Sequence, residues 1–407
     1  MSMRGGRVAV VGGSIAGCAA AVVAARAGAD EVVVLERSPG RLRDRGVGLC
    51  LHDSRYAELE AAGFLDPGIP RHRLTRRRWL VKDGSEPLGR PLWDQPFPFH
   101  SYHWGSLWNG LRERLPDSVG YRSADPVSEV TAEPDRARVR FLTSAGVDEY
   151  DLVIGTDGYR SVVRDAVCPG VRPRYAGYVC WRGSVPAERL AGTDGTWPAE
   201  HAVTLCFTGG QCVLYRIPGR GNDGPPLNWI LYATPPGDEP RSEDPVGVPA
   251  GMLTDALTDR LALLTERHLP PHWARLIALT PPGLISVQPV HDLAVPRRTA
   301  GRVLLAGDAA TVVRPHNTSG AATALHDAAA LEAAWRTADS WPELLSGYAA
   351  ARDEAGRDLV ALGRRLGAAQ VERAPDWSAM DGDRTAAWWA EQVAVTTGFG
   401  GHALARG

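Results

Sequence analysis

The sequence predicts an α/β protein. A Rossmann-like parallel sheet is assembled from separated segments, a second, antiparallel sheet is inserted among them, and helices follow at the C-terminal end. Three observations carry this prediction. Residues 7–11 form a continuous apolar run that stops at Gly12-Gly13-Ser14-Ile15-Ala16-Gly17, the pattern of a buried parallel strand feeding a helix through a tight turn. Far down the chain, Leu152-Val153-Ile154-Gly155-Thr156-Asp157-Gly158 and Val303-Leu304-Leu305-Ala306-Gly307-Asp308 each present another short apolar strand ending near a Gly/Asp pair. Residues 172–284 are rich in β-branched and aromatic residues broken by Gly and Pro, as antiparallel strands and turns require.

Taken in order, residues 15–27 read as an alanine-rich helix closed by Gly28, because glycine tolerates the left-handed conformation that ends helices. Residues 31–35 are the second strand, which delivers Glu36 at its carboxyl end, and this βαβ unit fills the expected ~30 residues. Helical periodicity returns over 54–62 and stops at Gly63. Between 78 and 100 the pattern breaks into proline-rich, strand-like pieces, where the chain is expected to leave the first domain. Residues 104–115 read as a helix, 127–143 as two antiparallel strands around Pro134-Asp135, and 150–154 as a buried strand. One helix, 251–267, interrupts the second sheet. A last parallel strand at 302–306 feeds a helix at 320–336, another helix follows at 343–366, and the stretch after Ala374 carries little signal.

Charge and composition exclude several function classes. Lys plus Arg is 45 against 47 for Asp plus Glu, so no global field draws the chain to nucleic acid or a membrane surface. The basic side chains are nearly all arginine, with Lys82 the single lysine, and the arginine run from Arg71 to Arg78 reads as a solvated face rather than a phosphate site. The six cysteines (18, 50, 168, 180, 206 and 212) lack C-x-x-C spacing and read as buried reduced thiols. A strand begins within a few residues of the first methionine, and the longest apolar run, 15–25, is about half of what a membrane helix needs. The expectation is a cytoplasmic protein. No metal cluster, paired-carboxylate site or Ser/His/Asp triad is legible.

The chemistry lies in the three Gly-bearing turns. Gly12, Gly13 and Gly17 let backbone N–H groups at a helix start approach a pyrophosphate, and Ser14 replaces the second fingerprint glycine with a residue small enough to permit that approach. Glu36 stands 19 residues beyond Gly17, the distance at which an acidic residue meets a ribose. Arg37 follows it, and a Glu-Arg pair suits FAD better than a plain NAD site. Gly219-Arg220-Gly221-Asn222-Asp223-Gly224 also satisfies G-x-G-x-x-G, but prolines on both sides forbid a helix there. With no second credible fingerprint, a dedicated nicotinamide domain is not expected.

Together these phrases resemble the FAD-dependent monooxygenases of the aromatic hydroxylase type, over about residues 5–360. Asp157-Gly158, with Ser161 and Arg164, resembles the family's Asp-Gly motif, which implies contact with the cofactor and with transient NAD(P)H. Gly307-Asp308 resembles its Gly-Asp motif, whose aspartate accepts bonds from the ribityl chain. Residues 315–327 resemble the loop and helix start beneath the isoalloxazine, which implies that N–H groups at Gly320, Ala321 and Ala322 face the flavin. Arg45-Gly46-Val47-Gly48 is similar to the arginine-glycine segment beside the cofactor. Residues 175–183, 215–219 and 227–232 look like the dihydroxypyridine 3-hydroxylase subgroup. Two departures stand out: Thr318 replaces a usual glycine, and Trp104 falls where the family carries arginine or glutamine.

The resemblance implies a discontinuous FAD-binding domain (1–75, 101–171 and 285–340), a substrate domain (76–100 and 172–284) and a C-terminal helical segment (341–407). It implies bound FAD, transient NAD(P)H, and hydroxylation of an aromatic or heteroaromatic small molecule by O2 through a flavin C4a-hydroperoxide. Candidates lining the site are His52, Tyr215, Trp229, Pro315 and His316, against the plainer readings of exposed loop or core packing. Epoxidation or Baeyer–Villiger insertion on a polyketide or terpenoid shares these motifs and stays open. An NAD-dependent dehydrogenase is disfavoured by Glu36-Arg37 and the late Gly307-Asp308, and a non-catalytic flavin protein is the remaining rival. Partners are the small-molecule substrate and O2, with a homodimer kept open.

Overall fold

The computed structural model describes residues 5–40, 42, 48–144, 146–190, 192, 199–219, 223–234 and 247–394. The chain opens with β1 (Arg7–Val11), α1 (Ile15–Arg26) and β2 (Glu31–Glu36), then β3 (Gly48–His52) and α2 (Asp53–Ala61). Two long strands follow, β4 (His72–Val81) and β5 (Arg90–His103), then α3 (Trp104–Arg112), β6 (Val119–Ser123), β7 (Val127–Ala132), β8 (Ala137–Phe141), β9 (Val147–Tyr150), β10 (Leu152–Gly155) and α4 (Val163–Val167). Next come β11 (Arg174–Val185), β12 (His201–Phe207), β13 (Gly210–Arg216), β14 (Leu227–Ala233), α5 (Asp255–His268) and α6 (Pro271–Ala278). The last elements are β15 (Ser286–Ala294), β16 (Thr299–Ala300), β17 (Val303–Leu305), β18 (Thr311–Val312), α7 (Gly320–Thr337), α8 (Trp341–Gly367) and α9 (Gly382–Val393).

The three apolar runs meet as the sequence predicts. The first sheet has the order β16-β17-β10-β1-β2-β6, with β10, β1, β2 and β17 paired in parallel. Its four central strands, β17, β10, β1 and β2, are buried on both faces, which is why they read as unbroken apolar runs rather than alternations. Residues 15 to 24 of α1 are likewise all buried. The helix packs on α7 as well as on the sheet, and its alanines allow that close approach.

The second sheet has nine strands in the order β18-β15-β11-β14-β13-β12-β4-β5-β3. Its central register is Arg182↔Ile230, Ile230↔Val213 and Val213↔Thr204. It is mixed rather than purely antiparallel, because β4 enters from the N-terminal third of the chain and runs parallel to β12. Strand pairing also redraws the expected membership. Residues 286–294 were expected with the first domain but pair with β11, and β3 pairs with β5 at the far edge. Long-range pairing, not local pattern, decides which sheet a strand joins.

Other elements depart from the reading. Residues 127–150 form a three-stranded sheet, not a single hairpin. The helix α6, capped by Pro270 and begun by Pro271, was read as sheet, and with α5 it covers one face of the large sheet. The C-terminal stretch holds α9, whose Trp388 and Trp389 approach Trp79 at 6.0 and 5.3 Å between ring centroids. The arginine run is only partly a solvated face: alternation along β4 turns Arg77 inward to 4% exposure. All six cysteines are free and buried. Among the described residues no helix is long and apolar enough to cross a membrane.

Candidate active site

The first turn is built so that only glycine fits. Gly12 has φ +102°, and a Cβ there would lie 2.5 Å from the Thr156 carbonyl oxygen. At Gly17 a Cβ would lie 1.8 Å from the Gly12 oxygen. The Gly13 carbonyl accepts bonds from Trp108 Nε1 (2.8 Å) and the Tyr121 hydroxyl (3.1 Å). Ser14 starts α1 but makes no capping bond with its side chain, so its hydroxyl and the first helical N–H groups remain available to an anion.

Glu36 is buried at the end of β2, where Oε2 accepts from Gly13 N and Oε1 from Ser38 N, both at 2.8 Å. Each oxygen keeps a lone pair for a ribose hydroxyl. Arg37 is exposed, and Arg45 lies outside the described residues. The middle of the second G-x-G-x-x-G match, 220–222, also lies outside them. Trp104 begins α3 half-buried against the hydrophobic cluster around α1.

Asp157 has a local task. Its carboxylate accepts from Ser161 Oγ (2.5 Å), Val162 N (2.7 Å) and Val163 N (3.3 Å), so it caps α4, and Oδ1, with a single bond, keeps a lone pair. Burial pushes its carboxyl up from the ordinary aspartate range. The loop's link to the cofactor side is Arg164, only 1% exposed. Its guanidinium donates to the carbonyls of Gly158, Tyr159, Asp308 and Ala309. One side chain thus fastens the Asp-Gly turn to the Gly-Asp turn.

The second turn is fixed from below. Gly307, at φ +58°, donates its N–H to Asp327 Oδ2 (2.7 Å), a fully buried carboxylate that also pairs with Arg352 (2.6 Å) and Arg298 (3.4 Å). Asp308 itself is the next residue of the same turn. Its side chain reaches solvent, yet surrounding protein pushes its carboxyl up to about 6, with Arg164 opposing and Asp327 adding to the rise.

Residues 315–322 form the third part. Pro315–Asn317 is a single 3-10 turn, and Thr318 follows with φ +54°. The threonine therefore occupies a left-handed position, which accounts for the family's glycine there. At Ser319 the side chain bonds back to the Asn317 carbonyl and does not cap α7. Among the described residues the N–H groups of Gly320, Ala321 and Ala322 have no partner, and the space beside Gly320 is open. Free donors at the start of a long helix suit a site of negative charge.

His316 faces the second sheet rather than solvent. It is 5% exposed, and its ring nitrogens meet the Tyr178 hydroxyl (2.7 Å) and Gln211 Nε2 (3.1 Å). Burial, aided by Arg314, lowers its pKa to about 3, so the ring is neutral at physiological pH. Gln370 bonds Gln211 from behind, and Tyr232 packs on the imidazole at 4.3 Å. The residue clamps the 315–322 loop to β11 and β13 and offers a ligand little surface.

The other candidates divide. Tyr215 is on the same sheet face, beside Cys50. His52 is turned away by its own geometry: its Nδ1 accepts from Ser54 N (3.2 Å) as the cap of α2. Trp229 is a correction, because the period of two in β14 places it against α5 and α6, where its Nε1 donates to Thr280 Oγ1 (2.8 Å). Tyr178, Gln211, Tyr232 and Arg182 were not singled out from the sequence. The alternation Tyr178, Cys180, Arg182 was the available signal.

The chain's own groups fit a bound FAD. The glycine cradle, the Glu36 lone pairs, the Asp308 carboxylate and the free N–H groups at Gly320 supply donors and acceptors of the kinds that cofactor's parts require. Known proteins agree. Residues 262–362 match the FAD binding domain family. The chain is 30% identical over 350 residues to 2,6-dihydroxypyridine 3-monooxygenase of Paenarthrobacter nicotinovorans, covering 81% of this chain and 83% of that protein. It is also 30% identical over 344 residues to 3-amino-4-hydroxybenzoate 2-monooxygenase of Streptomyces cremeus (80% and 77%). The solved structure of 2,6-dihydroxypyridine-3-hydroxylase from Arthrobacter nicotinovorans superimposes with a TM-score of 0.80 at 26% identity, covering 94% of this chain and 97% of that one. With these relatives and this cofactor cradle, the chain belongs to the FAD-dependent monooxygenases of the aromatic hydroxylase type.

Proposed function

We propose that the protein hydroxylates a hydroxylated aromatic or N-heteroaromatic small molecule in the space between the 315–322 loop and the face of the second sheet that carries Arg182. The observation that carries the proposal is the His316 clamp. It joins the loop with free helix N–H groups to that sheet face at Tyr178 and Gln211, so a flavin and a ring substrate share one enclosed space. When bound, FAD draws electrons from NAD(P)H and supplies one oxygen atom of O2 to the substrate.

The protein's part is placement and exclusion of water. Gly12, Gly13, Ser14 and Gly17 would hold the pyrophosphate, Glu36 with Arg37 the adenosine side, and Asp308 the ribityl chain, with the Arg45 segment beside the cofactor. Gly320, Ala321 and Ala322 would face the ring edge that gains negative charge. Asp157 would contact the cofactor as well as hold its own loop, and Arg164 acts through the two loops it joins. Tyr215 and Pro315 are assigned to the substrate end. The domain division at the two sheets, a homodimer and a cytoplasmic location belong to the same proposal.

The test is the visible spectrum of the purified holoprotein in air as NAD(P)H and a panel of hydroxylated aromatics are added. Flavin bleaching that accelerates with a particular ring compound, together with its hydroxylated product, is the expected result. A flavin that reacts equally fast with and without every aromatic would refute it and favour epoxidation or Baeyer–Villiger chemistry.

A further inference from the structure

Among the described residues, the face of the second sheet toward His316 holds two cations without an acid. Arg182 sits on β11, an interior strand, in the row Arg182, Ile230, Val213 and Thr204. Ile230 and Thr204 are buried, while Arg182 and Val213 are partly exposed. An opening at the middle of a nine-stranded sheet, with Tyr232 and Gln211 buried one row above and Tyr215 one row below, marks a recess rather than outer surface. Among the described residues the only hydrogen bond of Arg182 is a long one to Cys180 Sγ (3.5 Å), and no Asp or Glu pairs with it.

Arg77 on the same face is also without a carboxylate, but its charge is answered differently. It donates to Thr204 Oγ1 (2.6 Å) and lies 4.3 Å from the Trp79 ring centroid and 5.5 Å from that of Trp389, so aromatic faces offset its burial. Arg182 has no such cage. A guanidinium taken out of bulk water with most donors unused is costly unless an anion completes it.

We infer that Arg182 is the substrate-charge anchor of this enzyme, and that the ring substrate binds as an anion, its charged oxygen edge paired with the free guanidinium. This rests on the hydroxylase reading above. The anion is either a ring carboxylate, which a guanidinium meets with two parallel bonds, or an ionised ring hydroxyl.

The holoprotein is titrated with benzoate against benzamide, and with pentafluorophenol through its own ionisation, while ligand-induced change in the flavin absorbance is read. The expected result is that at least one anion binds about 10- to 100-fold tighter than its neutral counterpart, and that Arg182→Gln removes the preference at unchanged FAD content. Preference for benzoate identifies a ring carboxylate, and preference confined to the phenolate identifies an ionised hydroxyl. Arg182→Lys, which keeps the charge but not the fork, retains part of the preference and serves if the glutamine variant does not fold. An equal response to charged and neutral ligands overturns the inference, and so does a variant that loses FAD with its preference intact, since Arg182 would then serve only the cofactor. If neutral aromatics alone speed NAD(P)H oxidation, the hydroxylase reading survives without the anion. If no aromatic of either charge perturbs the flavin or speeds oxidation, both fall.

Discussion

Replacing Asp308 by Asn should weaken FAD binding and change how that binding depends on pH. The side chain stands next to Gly307, whose N–H is held by Asp327, and the Asp308 carbonyl accepts from Arg164. A hydrogen bond from a sugar hydroxyl to a carboxylate contributes about 1.5–3 kcal/mol, and the amide keeps one acceptor but no charge. The dissociation constant should therefore rise roughly 10- to 100-fold. In the free protein the carboxyl is pushed up to about 6, so between the ordinary aspartate range and that value the folded state holds a proton that the unfolded chain has lost. Stability of the apoprotein then falls as pH rises through this window, while affinity for FAD grows, since the ligand favours the ionised form. Titrating apoprotein with FAD by flavin fluorescence quenching, from about pH 5 to about pH 8, reads the affinity and its pH slope, and thermal melts of the apoprotein over the same range read the stability. A variant that binds FAD within about two-fold of wild type, with the same pH slope, would refute the role given to Asp308.

Three further outcomes follow from geometry. Thr318→Gly relieves a threonine held at φ +54°. Relief of about 1–2 kcal/mol, set against the greater chain entropy of glycine, leaves a net gain of about 0.5–1 kcal/mol, and a lower melting temperature in calorimetry would contradict this. Gly17→Ala places a Cβ 1.8 Å from the Gly12 oxygen, so the protein should purify colourless, and a normal FAD complement would show that the turn is less constrained than described. Trp229→Phe loses the bond to Thr280 on the covered face. It should cost about 1–3 kcal/mol in denaturant unfolding yet leave KM for the ring substrate unchanged, and a raised KM at unaltered stability would return Trp229 to the pocket.

The parts of the fold legible in sequence are those set by local pattern. Runs such as Val8 to Val11 and Val303 to Leu305 are apolar on both faces, and only a covered parallel sheet requires that. Gly12 and Gly17 were legible for the same reason, since the turn tolerates no Cβ. Sheet membership was not legible: nothing in 286–294 distinguishes a partner of β11 from a partner of β17, because the choice is made by residues over a hundred positions away. Asp157 and His316 carry residue types that suit a ligand site, and their hydrogen bonds show that both also hold loops. The Trp229 error has a simple source. Tyr215 and Trp229 were taken from two phrases as equals, whereas counting by twos from Tyr215 across the pairing Tyr215↔Asn228 puts Trp229 on the opposite face.

That alternation has a consequence for how such an enzyme can change its substrate. Along β11 and β14, Trp181, Trp229 and Leu231 pack under α5 and α6, while their neighbours Arg182 and Ile230 face the recess. Stability and selectivity are thus written in alternate letters of the same strands. Exchanges at Arg182, Ile230 or Val213 can re-tailor the binding chamber while the hydrophobic layer beneath and the cofactor turns, which come from other segments, keep their geometry.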